Sequence, residues 1–383
     1  MRQLRIGGAL GALMMMVSSC SAQGGGITTP SGPQQDSLRS KLTLPAGFIV
    51  NYFATGLAGV RFMAIGPDGS VYASIPRNGE VVRLVDTNGD GVADRRTISV
   101  SGLDRPHGLA FHDGWFYVAG TGGVIRVRLN SDGQATAVPE RIATYSGGGN
   151  HWSRSIAFGA DGKMYITVGS TCNVCVEADS DRAAVLQFDA DGTHGRVYSS
   201  GLRNAVGIAL EPATSAIWVS QNERDNLEPS HEDLPPDEIN ILQAGGDFGW
   251  PYCYSLGGQA LVSPEYNDAA RCQRTIPAAL ELQAHSAPLG MSFLTGATKF
   301  PAEYRGDLLV AFHGSWNRTV PTGVKVVRVR VAGGRPVSYE DFITGWLLPN
   351  GTRWGRPAGV VVAADGSVLI SDDVGGAIYR VTR

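Results

Sequence analysis

The sequence predicts an all-β fold, a six-bladed β-propeller. Three observations carry this expectation: one hairpin pattern occurs six times, Gly is abundant, and no stretch has the pattern of a long amphipathic helix. The chain holds 51 Gly in 383 residues, with only 17% charged residues. Many Gly and few charges suit short strands joined by tight turns, because Gly adopts positive φ without steric cost.

The six copies are MAIGPDGSVYAS (63–74), LAFHDGWFYVAG (109–120), IAFGADGKMYITVGS (156–170), IALEPATSAIWVSQ (208–221), FPAEYRGDLLVAFHGS (300–315) and VVVAADGSVLISDD (360–373). Each sets an Asp-Gly or similar turn between two alternating strands, as in Val71-Tyr72-Ala73-Ser74. Six copies imply six blades, and a ring of small sheets leaves few exposed edges. Most copies start roughly 45 to 60 residues apart. The wider gap between the fourth and fifth predicts an insertion over 222–290, read as long loops on one face. Residues 47–53 (GFIVNYF) read as a strand that completes the last blade beside the C-terminal AIYRVTR. A two-sheet sandwich is the rival architecture, but it does not require six similar units.

The first residues read as a targeting segment. Arg2 and Arg5 precede an apolar run, Gly7 to Val17, that is too short to span a bilayer. Val17-Ser18-Ser19-Cys20 then resembles a bacterial lipobox, with residues 1–19 removed and Cys20 lipidated. An ordinary cleaved signal is the alternative. Residues 20–43 are expected to form a flexible tether and 44–383 the propeller. Both readings export the chain to the periplasmic side, where disulfides persist, and the lipid would be its only membrane attachment. A formal net charge of −3 offers no basic footprint for nucleic acid.

Four further cysteines allow three pairings. Proximity along the chain favours Cys172–Cys175 and Cys253–Cys272. A CxxC is also a redox pair or half a zinc site, but Cys253 and Cys272 are not spaced as a second CxxC.

Propeller sites lie at the mouth of the central channel. Polar residues next to the inner strands are therefore the candidates: His107, Asn150-His151, Arg203-Asn204, Asn222, Arg318 and Arg356. Three arginines converging on one channel ask for an anion, because buried guanidinium groups need partners and their forks match carboxylates. A ligand with several carboxylates is expected. Separately, Asp86, Asn88, Asp90 and Asp94 alternate around Gly turns like a Ca²⁺ loop, without the closing Glu of an EF-hand: the twelfth position is Thr97. A metal-free hairpin loop is the equal alternative.

The ordered runs GNHWSRSIAFGADGKMYITVGS, GLRNAVGIAL, SQNERDNL, LPPDEINIL, GGDFGWPYC, FHGSWNR and GRPAGVVVAADGS resemble the PQQ-dependent sugar dehydrogenases, and among these the glucose/sorbosone dehydrogenase-like group. The likeness covers roughly residues 44–383. It implies a six-bladed propeller that carries pyrroloquinoline quinone (PQQ), a tricarboxylate, with Ca²⁺ on the quinone side. It implies His151 as general base, Arg203 as stabiliser of the charge that develops on reduction, and Asn204 and Asn222 as cofactor contacts. The backbone carbonyls of Glu223 and Arg224 align with Ca²⁺ ligands, and Asp225 could add a carboxylate. Arg318 and Arg356 align with groups that bind cofactor carboxylates, Arg353 less closely. His285 is expected on the substrate side, with Trp316 and Trp354 as apolar walls or blade core. This sequence has Asn150 where the family often has Asp beside the base. The implied reaction is oxidation of an aldose or an aldehyde sugar, with electrons passed to a cytochrome or a quinone. A Ca²⁺-dependent lactonase or esterase, which would hold its metal with side-chain oxygens and need no arginines, is one alternative. A non-catalytic binding propeller is the other.

Overall fold

The structure, a computed structural model, describes residues 30–383. The signal segment and Cys20 lie outside the described residues. Six four-stranded antiparallel sheets form the blades; five of the sequence copies supply the inner two strands of a blade, whereas 300–315 supplies only the second strand of the fifth, whose inner strand Pro288–Phe293 lies upstream of it. The innermost strands, in order, are Met63–Ile65, Gly108–His112, Ile156–Phe158, Ala205–Leu210, Pro288–Phe293 and Pro357–Val362. Their side chains, among them Met63, Leu109, Ile156, Ile208, Met291 and Val360, line an axial cavity of about 350 Å³. The second strands are the blade cores: Val71–Ile75, Met164–Val168, Leu308–Phe312 and Val368–Asp372 are buried throughout. That is why alternation is weak there, since strands covered on both faces read as apolar runs.

The ring closes as expected. Ile49–Ala54 pairs antiparallel with Ala377–Thr382, from Ile49 opposite Thr382 to Ala54 opposite Ile378. The tether expectation, however, needs correction. Residues Gly32–Lys41 form a helix, and Leu38 and Leu42 are buried in the cluster around Trp346, Phe342 and Tyr379. Two such anchors outweigh the polar composition that suggested flexibility. Gln34 caps the start by accepting the Ser31 N–H at 2.8 Å, and Arg39 and Lys41 sit in the last turn. Gln35 accepts the Tyr52 N–H at 2.7 Å, so the helix covers the outer edge of the last blade.

The 222–290 insertion is more structured than loops. It carries a two-stranded hairpin, Cys253–Leu256 with Gln259–Val262, and a short helix, Ala269–Cys272. The Cys253–Cys272 disulfide staples the two together. Gly246–Asp247 adds in parallel to the third blade. Cys172–Cys175 is also a disulfide.

Candidate active site

The residues before each inner strand and after each second strand meet at one end of the channel. His151, Arg203, Asn204 and Arg356 come from the first set, and Asn222 from the second. Gly169 permits the closest approach: a Cβ there would stand 2.6 Å from His151 Cβ and 2.7 Å from Asn204 Oδ1. Asn204 Nδ2 reaches Asn222 Oδ1 at 3.5 Å, and Asn222 Nδ2 donates to Pro288 O at 2.6 Å. Asn204 Oδ1 is buried without a hydrogen-bond partner.

The surroundings of His151 fix its tautomer. Nδ1 lies 3.0 Å from Ser170 O and 2.9 Å from Ser170 Oγ. Ser170 Oγ spends its single proton on Cys172 O at 2.7 Å, so it can only accept from the ring. Nδ1 therefore carries the hydrogen, and Nε2 presents a lone pair, with no hydrogen-bond partner among the described residues. Asn150 is exposed and offers its backbone N–H to Thr171 O. Ser170, not Asn150, orients the ring. Fully buried Arg154 grips the His151 carbonyl at 2.8 Å.

Arg203 is buried and saturated. Its Nε donates to Asn173 O at 3.1 Å, Nη1 to Asn222 O at 3.1 Å and Glu223 O at 2.7 Å, and Nη2 to Asn173 Oδ1 at 3.0 Å and Asp225 Oδ2 at 3.3 Å. The carbonyls that meet at one point are thus Asn222 and Glu223, one residue earlier than the Glu223 and Arg224 expected from sequence. Arg224 turns away to a two-pronged pair with Glu265. Asp225 also accepts from Asn317 Nδ2 at 2.9 Å and lies 3.5 Å from His285 Nδ1.

The arginine expectation holds only in part. Arg318 is not aimed at the mouth: it pairs with Asp233 at 3.1 Å and also bonds Glu232 O on the insertion. Arg203 has Asp225. Only Arg356, bonded to the carbonyls of His313 and Gly314 at 2.7 Å each, lacks a carboxylate on its guanidinium. Burial, with Arg353 nearby, pulls it down to about 10. Trp354 belongs to the blade core, stacked on Trp346, and Trp316 is 75% exposed on the rim.

Sequence reasoning missed a second cluster. Asp373 bridges Arg61 Nη1 at 2.7 Å and His313 Nε2 at 2.9 Å, and Arg61 and Arg105 both lie over the Trp152 ring, at 5.9 and 5.7 Å. A signal was available. Arg61 stands two residues before an inner strand, as Arg203 does, and His313 and Asp373 follow second strands, as Asn222 follows Gln221. His107 sits fully buried, its ring 4.2 Å from Phe62 and its Nδ1 3.1 Å from Arg154 O. In the Asp86–Asp94 loop, Asp86 accepts the N–H groups of Gly89, Asp90 and Gly91, so the loop's own backbone uses that carboxylate.

Three imidazoles are held neutral. Burial, then Arg203's charge, pushes His151 down to about 3. Burial pushes His313 to about 4 against its bond to Asp373, and His107 well below its ordinary value. Burial and Asp225 pull His285 in opposite directions, with a net rise. Below pH about 6.5 an unfolded His takes a proton that these three refuse, so each removes stability as pH falls, at up to about 1.4 kcal/mol per unit. His285 works the other way, and so do the buried carboxyls of Asp237 and Glu238, which burial pushes up to about 7 and about 8, so the three imidazoles do not set the net slope of stability with pH.

The ring of six blades thus brings a lone-pair imidazole, a buried guanidinium and paired carbonyls together at its mouth. The chain belongs to the TrAA12-like family, whose model matches residues 42–383. It is 25% identical over 423 residues to a pyrroloquinoline quinone-dependent pyranose dehydrogenase of Coprinopsis cinerea, covering 93% of this chain and 56% of that protein. It is 23% identical to a pyrroloquinoline quinone-dependent sugar dehydrogenase of Hypocrea jecorina, covering 92% and 85%. A solved Trichoderma reesei structure of carbohydrate-active enzyme family AA12 superposes with TM-score 0.79 at 22% identity, over 89% of this chain and 97% of that one. That likeness speaks for the fold. The chain spans little more than half the length of the first curated relatives it matches.

Proposed function

We propose that the protein is a PQQ-dependent oxidoreductase acting on an aldose at its anomeric carbon, or on an aldehyde sugar. The observation that carries this reading is His151 Nε2, an unprotonated nitrogen held at the channel mouth by Ser170. It would take the substrate hydroxyl proton as the adjacent C–H leaves as hydride and the C–O bond becomes a carbonyl. When bound, PQQ supplies the two-electron acceptor for that hydride. The residues present fit the group: Arg356 is a cation without a carboxylate, and Asn204 Oδ1 is a buried oxygen without a partner. Arg203 would stabilise negative charge beside the reacting carbon.

Convergent Asn222 and Glu223 carbonyls are the hard neutral oxygens that Ca²⁺ favours. Here they hold Arg203 Nη1, so Ca²⁺ at this point asks that nitrogen to yield. Electron delivery to a cytochrome or quinone, and lipidation at Cys20 on the periplasmic side, complete the proposal. The anchor rests on the lipobox; no described helix is long and apolar enough to cross a membrane.

The test is reconstitution of apoprotein with and without PQQ and Ca²⁺, followed by an absorbance scan and dye reduction over a sugar panel. Tight binding that needs Ca²⁺, with sugar-dependent dye bleaching, is expected. Absence of PQQ binding would overturn the reading.

A further inference from the structure

The four-residue loop closed by the Cys172–Cys175 disulfide touches both halves of the site. Its first carbonyl, Cys172 O, takes the Ser170 hydroxyl proton at 2.7 Å and so decides which way the His151 ring is protonated. Its second residue, Asn173, makes five hydrogen bonds. Asn173 Oδ1 accepts from Arg203 Nη2 at 3.0 Å and from the Asp225 backbone N–H at 2.8 Å. Asn173 Nδ2 donates to Asp225 O at 3.0 Å. Asn173 O accepts from Arg203 Nε at 3.1 Å and from Trp250 Nε1 at 3.0 Å. Thr171, just before the loop, is braced by Glu177 through its N–H and hydroxyl.

A short loop on the third blade therefore reaches across to the strand end of the fourth. The paired bonds between the Asn173 amide and the Asp225 backbone imitate a strand pair, and they hold the segment that presents the Asn222 and Glu223 carbonyls. A closed four-residue ring gives Asn173 little freedom, so the position of Arg203 is set before any ligand arrives.

We infer that the Cys172–Cys175 loop is the positioning element of this site, and that Asn173 is the residue through which it holds Arg203 and the 223–225 segment. The effect on turnover rests on the dehydrogenase reading, whereas the effect on the 223–225 segment does not.

Asn173→Ala and Asn173→Asp separate the two. In PQQ-free protein, hydrogen exchange at the Asp225 amide is expected to be at least about tenfold faster in Asn173→Ala, because its acceptor is gone. In reconstituted enzyme, kcat is expected to fall about 10²-fold with KM within about threefold, the signature of lost geometry rather than lost sugar binding. Asn173→Asp keeps an oxygen to accept from Arg203 Nη2 and the Asp225 N–H, loses the Nδ2 donor to Asp225 O, and should recover part of that kcat. The double variant Cys172→Ser, Cys175→Ser should move exchange and kcat in the same direction as Asn173→Ala. Unchanged Asp225 exchange in Asn173→Ala overturns the inference. So does a kcat loss that Asn173→Asp shares in full and that follows the melting midpoint. Should the unaltered protein bind no PQQ, the dehydrogenase reading falls, and the exchange result alone decides the positioning role.

Discussion

Replacing His151 by Ala is expected to cut turnover about 10²- to 10⁴-fold while PQQ affinity changes little. The ring's role in the proposal is proton acceptance at Nε2, and removing it takes away the acceptor. The fold has little to lose there, because the ring's polar contacts are to Ser170 alone. Its low position, about 3, also shapes the pH profile. The free enzyme should show no acid limb in kcat/KM near 6.5, since the imidazole stays neutral far below that. Steady-state kinetics with a cofactor titration by absorbance would check both parts. Turnover that persists in the Ala variant would remove His151 as the base.

Arg203→Ala carries the second large effect, on rate and on stability together. The Arg203 N–H groups are all taken by protein acceptors, so what it offers developing negative charge is a fixed positive charge, whose loss is worth about 10²- to 10³-fold in kcat. The same change leaves Asp225 without its cation and the carbonyls of Asn173, Asn222 and Glu223 without this donor. Breaking a buried pair on one side costs about 3–5 kcal/mol. Arg203→Lys sharpens the test, since an ammonium keeps the charge but lacks the fork that spans five acceptors. It should recover part of the melting midpoint and little of kcat. Equal recovery of both would mean that charge alone matters at this position.

The fold was legible because five of the six blades announce their inner hairpin with a short turn, such as Gly69 at φ 80° between Met63–Ile65 and Val71–Ile75, whereas in the fifth a longer connection separates Pro288–Phe293 from Leu308–Phe312. The outer strands were harder to read, since half-exposed strands such as Arg95–Val100 and Glu140–Thr144 carry mixed patterns. The helix at Gly32–Lys41 escaped because its polar composition hides one buried leucine, Leu38, with a second, Leu42, just beyond its end. At the site, His151, Arg203, Asn204 and Asn222 were legible from motif and blade phase. Arg318 was misplaced because sequence does not say which way a guanidinium on a long loop turns, and Asp233 on the insertion claims it. Asn173 and Ser170 were invisible for a related reason. Their roles exist only once loops from two blades are folded against each other, and neither residue type advertises such a role alone.

Ring closure by the strand Ile49–Ala54 ties the beginning of the propeller to its last residues. The sixth blade cannot be finished until the final strand has been synthesised, so an early segment must wait, unpaired, for almost the entire chain. Such distant pairing is slow to form, and an unpaired strand edge invites other chains. The helix at Gly32–Lys41 lies against that same edge in the finished ring, but Leu38 packs among Phe342, Trp346 and Tyr379, so it too docks only after the last blade is made.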